Sequence, residues 1–388
     1  MTPAVLIAAV ALAAWLFLAC GRGGFWLCAQ RDAPTAAAPG AWPDVVAIVP
    51  ARDEAAGIEA SLGSLLRQSY PGRFSVILVD DQSTDGTSEC ARRAAANSAA
   101  LDRLVVATGA PPPAGWTGKL WALHQGVMLA QGLEPPPAYL LFCDADIGFE
   151  GVDVVARLVA RACAEGLVLN SLMVRLRCVS LPERMLIPAF VFFFQMLYPF
   201  ARVNRPGDAT AAAAGGCVLL DHAALQATGG VAAIRGALID DCALGAQLKQ
   251  AGRIRLALAR DVHSLREYPA FRDMGAMIAR CAFAQLRYSH LILAASMLGM
   301  ALVYLAPPVL AIAGDGAAQF IALWAWGLMS ALFTPTLLYH RVGLYWAPLL
   351  PLIALLYMAF TLLSAYQDAG GRGGMWKGRA QAIRSGKT

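Results

Sequence analysis

Residues 76–87 read VILVDDQSTDGT, and the change of character at Asp80 decides the fold. Val76–Val79 is a short, wholly apolar run, as expected of a buried strand. It breaks into a turn rich in Asp, Ser and Gly. The same pattern recurs on both sides. Val45–Val49 is apolar and stops at Pro50; Leu104–Ala107 and Tyr139–Cys143 follow, the last running into Asp144. Helical patterns lie between them: Gly57–Ser69, with Ile58, Leu62, Leu65 and Leu66 at helical spacing and a stop at Tyr70-Pro71-Gly72, then Ser88–Ala96 and Gly118–Gln131. Strands alternating with helices predict an α/β fold with a doubly wound, mostly parallel sheet. In such sheets ligands bind outside the carboxyl ends of the strands. That directs attention to Pro50–Glu54, Asp80–Thr87 and Asp144–Asp146.

The residue types at these ends point to particular chemistry. Asp80 and Asp81 repel each other unless something binds them, and they suit the N–H groups of a base or the hydroxyls of a ribose. The plainer reading is a helix start, with Ser83 or Thr84 as cap and Asp85 favouring the dipole. Asp144-Ala145-Asp146 puts two carboxylates on one side of an extended segment. With a pyrophosphate they supply hard oxygens to Mg²⁺ or Mn²⁺, although this spacing is also common in ordinary loops. Gly115-Trp116-Thr117-Gly118-Lys119 is not a P-loop, because Pro113 stands five residues before Gly118 and Leu120 replaces the Ser/Thr. Lys119 at a helix start still suits a phosphate, with a solvated lysine as the plainer alternative. Asp240-Asp241 precedes a predicted helix, Cys242–Ala251, after the glycine pairs Gly215-Gly216 and Gly229-Gly230. Either carboxylate is a helix cap, or a general base if burial or its neighbour raises its pKa.

Composition separates this segment from its flanks. The 388 residues are 58% hydrophobic and 15% charged, with net charge +5 and mean hydropathy +0.54. Typical soluble domains are about 25% charged. Residues 42–290 hold 23 basic and 23 acidic side chains, so the whole excess lies outside them. That removes the main reason to invoke nucleic acid. The flanks carry Ala4–Cys20, free of charge, and three charge-free runs of 23 residues: Leu291–Ala313, Ala317–Tyr339 and Leu344–Tyr366. About 20 helical residues cross a bilayer core. One N-terminal and about three C-terminal transmembrane helices are expected, kinked at Pro307, Pro308, Pro335, Pro348 and Pro351. The first run reads as a signal-anchor at residues 1–22, with a lipoprotein signal ending at Cys20 as its rival. Arg22 and Arg31 favour a cytoplasmic side after it, and residues 32–43 read as a linker. Three further crossings put the basic tail, 367–388, on the opposite side, against the positive-inside tendency, unless one run is re-entrant. Nine cysteines without a C-x-x-C pair suggest reduced thiols. Met185–Phe200, charge-free and aromatic, is either a core helix or an interfacial segment admitting a lipid.

The ordered set VVAIVPARDE (45–54), VDDQSTDGT (79–87), GWTGKLWALHQG (115–126), FCDADIGF (142–149), GGCVLLDHAAL (215–225) and LIDDCALGAQLKQAG (238–252) resembles the inverting family 2 glycosyltransferases with the GT-A fold. The resemblance covers roughly residues 44–290, and the wording is most similar to the hopene-associated membrane group. It implies a bacterial-type inner-membrane enzyme with a cytoplasmic GT-A domain at 42–290, membrane helices at 291–366, a nucleotide-sugar (UDP-sugar) donor, a divalent metal and a lipid acceptor such as a hopanoid. By resemblance Pro50, Arg52, Glu54, Asp80 and Asp81 line the nucleotide pocket, and Lys119 sits near the diphosphate. Asp144 and Asp146 form the metal pair, Asp146 the direct ligand, while Gly215 and Gly216 border the acceptor. Asp241 matches the family's catalytic base, but Asp240 stands where the family has Glu, so the base lies within this pair. Processive relatives carry Q/R-x-x-R-W. Here Arg287-Tyr288 follows Ala284, which favours a single transfer over polymer synthesis and leaves Arg287 as a diphosphate contact. A non-catalytic membrane scaffold is the alternative of another class.

Overall fold

The computed structural model describes residues 2–33, 37–376 and 379–380. Residues 34–36 of the expected linker, and 377–378 and 381–388 of the basic tail, lie outside the described residues. Along the chain the helices are α1 (Pro3–Cys20), α2 (Ala55–Leu66), α3 (Thr87–Asn97), α4 (Gly118–Gln131), α5 (Val154–Glu165), α6 (Leu181–Leu197), α7 (Phe200–Val203), α8 (His222–Ala227), α9 (Asp240–Lys249), α10 (Phe271–Gln285), α11 (His290–Met300), α12 (Ala306–Ala313), α13 (Gly316–Tyr339) and α14 (Leu350–Ala369). The strands of the main sheet are β1 (Val45–Ala51), β2 (Phe74–Asp80), β3 (Leu104–Thr108), β4 (Tyr139–Cys143), β5 (Ile147–Phe149), β6 (Leu167–Arg175), β7 (Cys217–Asp221) and β8 (Arg253–Ser264).

The chain divides into two units. The α/β unit comprises the described residues of Gln30–Arg177 and Arg202–Glu267, with Met375, Trp376, Arg379 and Ala380. Its sheet runs β3-β2-β1-β4-β7-β6-β8-β5. The first four strands are parallel, and β7 then pairs antiparallel with both β4 and β6. Every residue of β1 is buried, which explains its unbroken apolar run. The strand continues through Pro50 to Ala51 rather than stopping at Pro50. Pairing with β4 ends at Ile48, so the missing Pro50 N–H costs that ladder nothing. Alternate β1 residues Val45, Ala47 and Val49 pack in a core that includes Ile58, Leu62 and Leu66 of α2. On the other face α4 lies so close that a Cβ on Gly126 would stand 2.3 Å from Ile48 Cγ2. Gly126 thus sets the approach of α4, and with it the position of Lys119.

The helical unit comprises Met1–Ala29, Cys178–Ala201 and Tyr268–Gly374. Two stretches of the expected 42–290 segment therefore group with the apolar helices. Among the described residues, four helical stretches are long and apolar enough to cross a membrane: Pro3–Cys20, His290–Ala313, Gly316–Tyr339 and Leu344–Ala369. The expected kinks are visible in the second and fourth. A π turn, Ala301–Leu305, precedes Pro307-Pro308, and Leu344–Leu349 is a 3₁₀ segment before Pro351. Proline cannot donate to the preceding turn, which loosens there. The aromatic run 185–200 falls largely within α6, which starts at a Ser180–Glu183 capping box. Its Phe192 stacks on Phe25 and Phe333 at 5.2 and 5.3 Å, and Phe193 on Tyr304 and Tyr357 at 5.8 and 4.9 Å. This segment is a packed helix of the apolar unit, not part of the sheet's core.

Candidate active site

The parallel register brings the strand ends to one edge. Ala51 stands opposite Asp80, and Cys143 opposite Cys217. Because β7 runs antiparallel to β4, its entry, Gly215-Gly216, lies beside the exit of β4, and Asp144 N donates to Gly216 O at 3.3 Å. Thr117 caps α4 by accepting from Leu120 N at 3.3 Å, which puts Lys119 in the first turn. One pocket is lined by Pro50, Lys119, Asp144, Gly215, Asp240 and Asp241, with Phe142, Val218 and Leu244 as apolar wall. Six residues singled out from sequence thus meet across more than 190 positions.

Lys119 Nζ lies 2.8 Å from Asp144 Oδ1 and 3.1 Å from Asp240 Oδ2. Burial pulls its pKa down, but Asp144 and Asp240 outweigh that and hold it above the ordinary lysine value. Burial raises the pKa of Asp144, against the pull of Lys119. Asp241 accepts from Gly215 N at 3.0 Å through Oδ2 and from Cys242 N at 2.7 Å through Oδ1. Burial first and Asp240 second push its pKa up to about 6, while Lys119 opposes them. A carboxylate so tuned is ionised at neutral pH yet basic enough to take a proton. The structure differs from the sequence reading in one detail here. Asp240 and Asp241 are the first two residues of α9, and Ile239 takes the cap position. The helix N-terminus therefore helps hold two adjacent negative charges. A Cβ on Gly215 would stand 3.3 Å from Lys119 Nζ and 3.5 Å from Asp241 Cβ, so its lack of a side chain keeps the space between them open.

Asp146 is held by groups that the sequence did not flag. Arg266 Nε and Ser264 Oγ both lie 3.1 Å from its Oδ2, and Arg266 Nη2 reaches Glu54 Oε1 at 2.8 Å. The only available signal was their position at the end of β8, another strand of the same sheet. Arg52 Nη1 donates to Asp81 O at 2.5 Å, and Asp81 is nearly fully buried. Asp80 is spent on its own turn: it accepts from Ser83 N at 2.8 Å and from Ser88 Oγ. Neither Ser83 nor Thr84 caps α3. Gly86 does so at φ +86°, with Asp85 accepting from Thr87 N at 3.0 Å. Gly216 packs under the pocket against Val174 and Ile147. Arg287 belongs to the helical unit, where it follows α10 at φ +53°.

The donor set suits a divalent cation shared with a ligand. Among the described residues no group of three or more His, Cys, Asp or Glu is arranged to hold a metal alone. Asp144 and Asp146 each commit one oxygen to a cation, at 2.8 and 3.1 Å. Two carboxylates completed by phosphate oxygens and water are a usual Mg²⁺ site. Glu54, Asp144, Asp146, Asp240 and Asp241 also outnumber Lys119 and Arg266 around this edge, so a second cation is electrostatically welcome before an anionic ligand enters.

No curated protein sequence matches this chain. Among solved structures, the mannosyltransferase PcManGT from Pyrobaculum calidifontis, in complex with GDP-Man and Mn²⁺, is similar over 97% of this chain and 100% of its own, with TM-score 0.54 and 22% identity. Glucosyl-3-phosphoglycerate synthase of M. tuberculosis matches over 61% of this chain and 76% of its own, with TM-score 0.37 and 18% identity. S. aureus TarS 1–349, in complex with UDP-GlcNAc, matches over 88% and 97%, with TM-score 0.40 and 13% identity. The first of these likenesses is one of fold. Residues 46–229 match the family model of Glycosyl transferase family 2. Residues 46–229 are thus similar to the glycosyltransferase family 2 domain, and the sheet has a GT-A type α/β fold.

Proposed function

We propose that the protein is a membrane-anchored inverting glycosyltransferase that moves one sugar from a nucleotide-sugar to a lipid acceptor. The observation that carries this is Asp241, whose pKa stands near 6 in a pocket shared with Lys119 and Asp144. Asp241 takes the proton of the acceptor hydroxyl as that oxygen attacks the anomeric carbon. The bond to the diphosphate breaks on the opposite face, so the configuration inverts and no covalent enzyme intermediate forms. Lys119 holds the diphosphate and offsets its growing charge. Asp144 and Asp146 would hold Mg²⁺ or Mn²⁺, which neutralises diphosphate charge when bound. Arg52, Asp81 and Glu54, with Pro50, line the nucleotide side. Gly215 leaves room for the acceptor beside Asp241.

The donor is a UDP-sugar by the sequence resemblance, while the similar Pyrobaculum enzyme was crystallised with GDP-Man. Four stretches long and apolar enough to cross a membrane support a reaction at a membrane, and Arg22 after α1 favours a cytoplasmic α/β unit at a bacterial-type inner membrane. A hopanoid or related isoprenoid-type lipid is the proposed acceptor. The test incubates purified membranes, Mn²⁺ and total lipid extract with each radiolabelled UDP- and GDP-sugar. Label in a single-sugar, organic-extractable product supports the reading. Label in long polymer supports a synthase instead, and no transfer with any donor supports a scaffold.

A further inference from the structure

We propose that Leu344–Ala369 is re-entrant: it enters and leaves the membrane on the same face. The chain then crosses three times, and α14 ends at the same level as His340. The inference is independent of the proposed reaction. It rests on which residues of the helical unit stand at the same level.

Contacts at three levels fix the first crossings. Ala8 of α1 clusters with Ala311 of α12 and Ala322 of α13, and Gln319 Nε2 donates to Ala311 O at 3.0 Å. This is one face, with the α12–α13 connection at Gly314-Asp315. Trp15 Nε1 donates to Val303 O at 2.9 Å and its ring packs on Tyr304 at 5.2 Å, which marks the middle. Cys28 Sγ lies 3.5 Å from Thr336 Oγ1, and Cys178 Sγ lies 3.6 Å from His340 Nδ1. This is the second face. The chain leaves it for the α/β unit after Ala29 and returns to it at Cys178. So α1 and α13 run toward the second face, and His290–Ala313 runs away from it.

The last stretch starts at the second face, just after His340. The 3₁₀ segment Leu344–Leu349 climbs back along α13, where Trp326 Nε1 donates to Pro348 O at 2.9 Å. Then α14 turns around. Its Tyr357 meets Phe193 at 4.9 Å, and Phe193 meets Tyr304 at 5.8 Å, so Tyr357 stands near the middle level. Eight residues later Ala365 clusters with Phe283 near the end of α10 and Leu293 at the start of α11. Ser364 Oγ accepts from Phe283 N at 3.0 Å and bonds Ala279 O. An outward crossing would carry Ala365 toward Ala311 and Gln319 instead. From Leu350 to Ala365 the helix descends roughly 22 Å at 1.5 Å per residue, so a 26-residue apolar stretch is used without a net crossing. Beyond Gly374, Met375 and Trp376 are grouped with the α/β unit.

Charge agrees with this route. Arg22, Arg341 and Arg372 then share the second face, and Asp315 stands at the connection on the first. That satisfies the positive-inside tendency, which a fourth crossing violates.

The test places one epitope tag per full-length protein: after Thr388, within the 132–138 loop of the α/β unit, or after Gly314. Protease is added to right-side-out and inside-out vesicles. The C-terminal tag should be cleaved in the same vesicles as the 132–138 tag and protected where the Gly314 tag is cleaved. A C-terminal tag that follows the Gly314 tag overturns the proposal. If the Gly314 insertion prevents folding, a tag before Thr2 serves as the same-face reference.

Discussion

Asp241 offers a prediction whose sign and size both follow from the site. With a pKa near 6, its carboxylate is about 97% ionised at pH 7.5 and about 9% at pH 5. The base form is the deprotonated one, so activity rises with pH. kcat/KM, which reports the free enzyme, should fall roughly ten-fold between pH 7.5 and pH 5. Asp241→Asn should cost about 10²–10⁴-fold in kcat, the usual worth of general-base catalysis, while retaining UDP or GDP binding with Mn²⁺ by calorimetry. Asp240→Asn supplies the sharper test. Asp240 raises the pKa of Asp241 directly and also shares Lys119 with Asp144. Neutralising it should move the acid limb below pH 6. The assay is sugar transfer to lipid extract at saturating Mn²⁺ from pH 4.5 to 8.5. An unchanged limb in Asp241→Asn, or a limb moved upward in Asp240→Asn, refutes the assignment.

Further predictions concern the neighbours. Lys119→Met should weaken nucleoside diphosphate binding roughly 10- to 100-fold, the worth of a charge-assisted hydrogen bond. It should also move the acid limb to higher pH, because Lys119 lowers the pKa of Asp241; titration calorimetry and the pH profile check the two effects. Asp144→Asn and Asp146→Asn should each raise the Mn²⁺ concentration needed for half-maximal transfer, and chelation should abolish transfer reversibly. Equal Mn²⁺ response in wild type and both variants removes these two residues from the metal. Gly126→Ala should destabilise the α/β unit by about 1–3 kcal/mol by forcing a methyl against Ile48, read as a lower midpoint of thermal unfolding.

Much of the α/β unit was legible because its central strands β1, β2 and β4 are buried on both faces and its polar residues gather after them. Gly118–Gln131 and Tyr139–Cys143 appear with the expected limits. Local capping was less legible. Asp is favoured both before a helix and in its first turn, so sequence alone misplaced the start of α9. At α3 the left-handed Gly86 displaced the two expected hydroxyl caps. Arg266 was missed for another reason: its partners, Asp146 and Glu54, are 120 and 212 residues away, and no local pattern encodes such a pairing. In α6, residues packed against the long apolar helices leave the same apolar signature as a soluble core. Hydropathy also has no direction, so the turn of the chain at Leu349-Leu350 left no mark on the profile.

The interleaving of the two units has a practical consequence for anyone preparing the protein. The chain passes between them after Ala29, Arg177, Ala201, Glu267 and Gly374. An N-terminal anchor and a C-terminal bundle can usually be trimmed away, but here α6 is threaded through the middle of the catalytic sequence. Removing residues 1–29 and 291–388 would strip Phe25, Tyr304, Phe333 and Tyr357 from Phe192 and Phe193. The remainder would present a bare aromatic helix to water and aggregate. Detergent or nanodisc extraction of the whole chain is therefore the route to active material, and a soluble fragment needs α6 redesigned first.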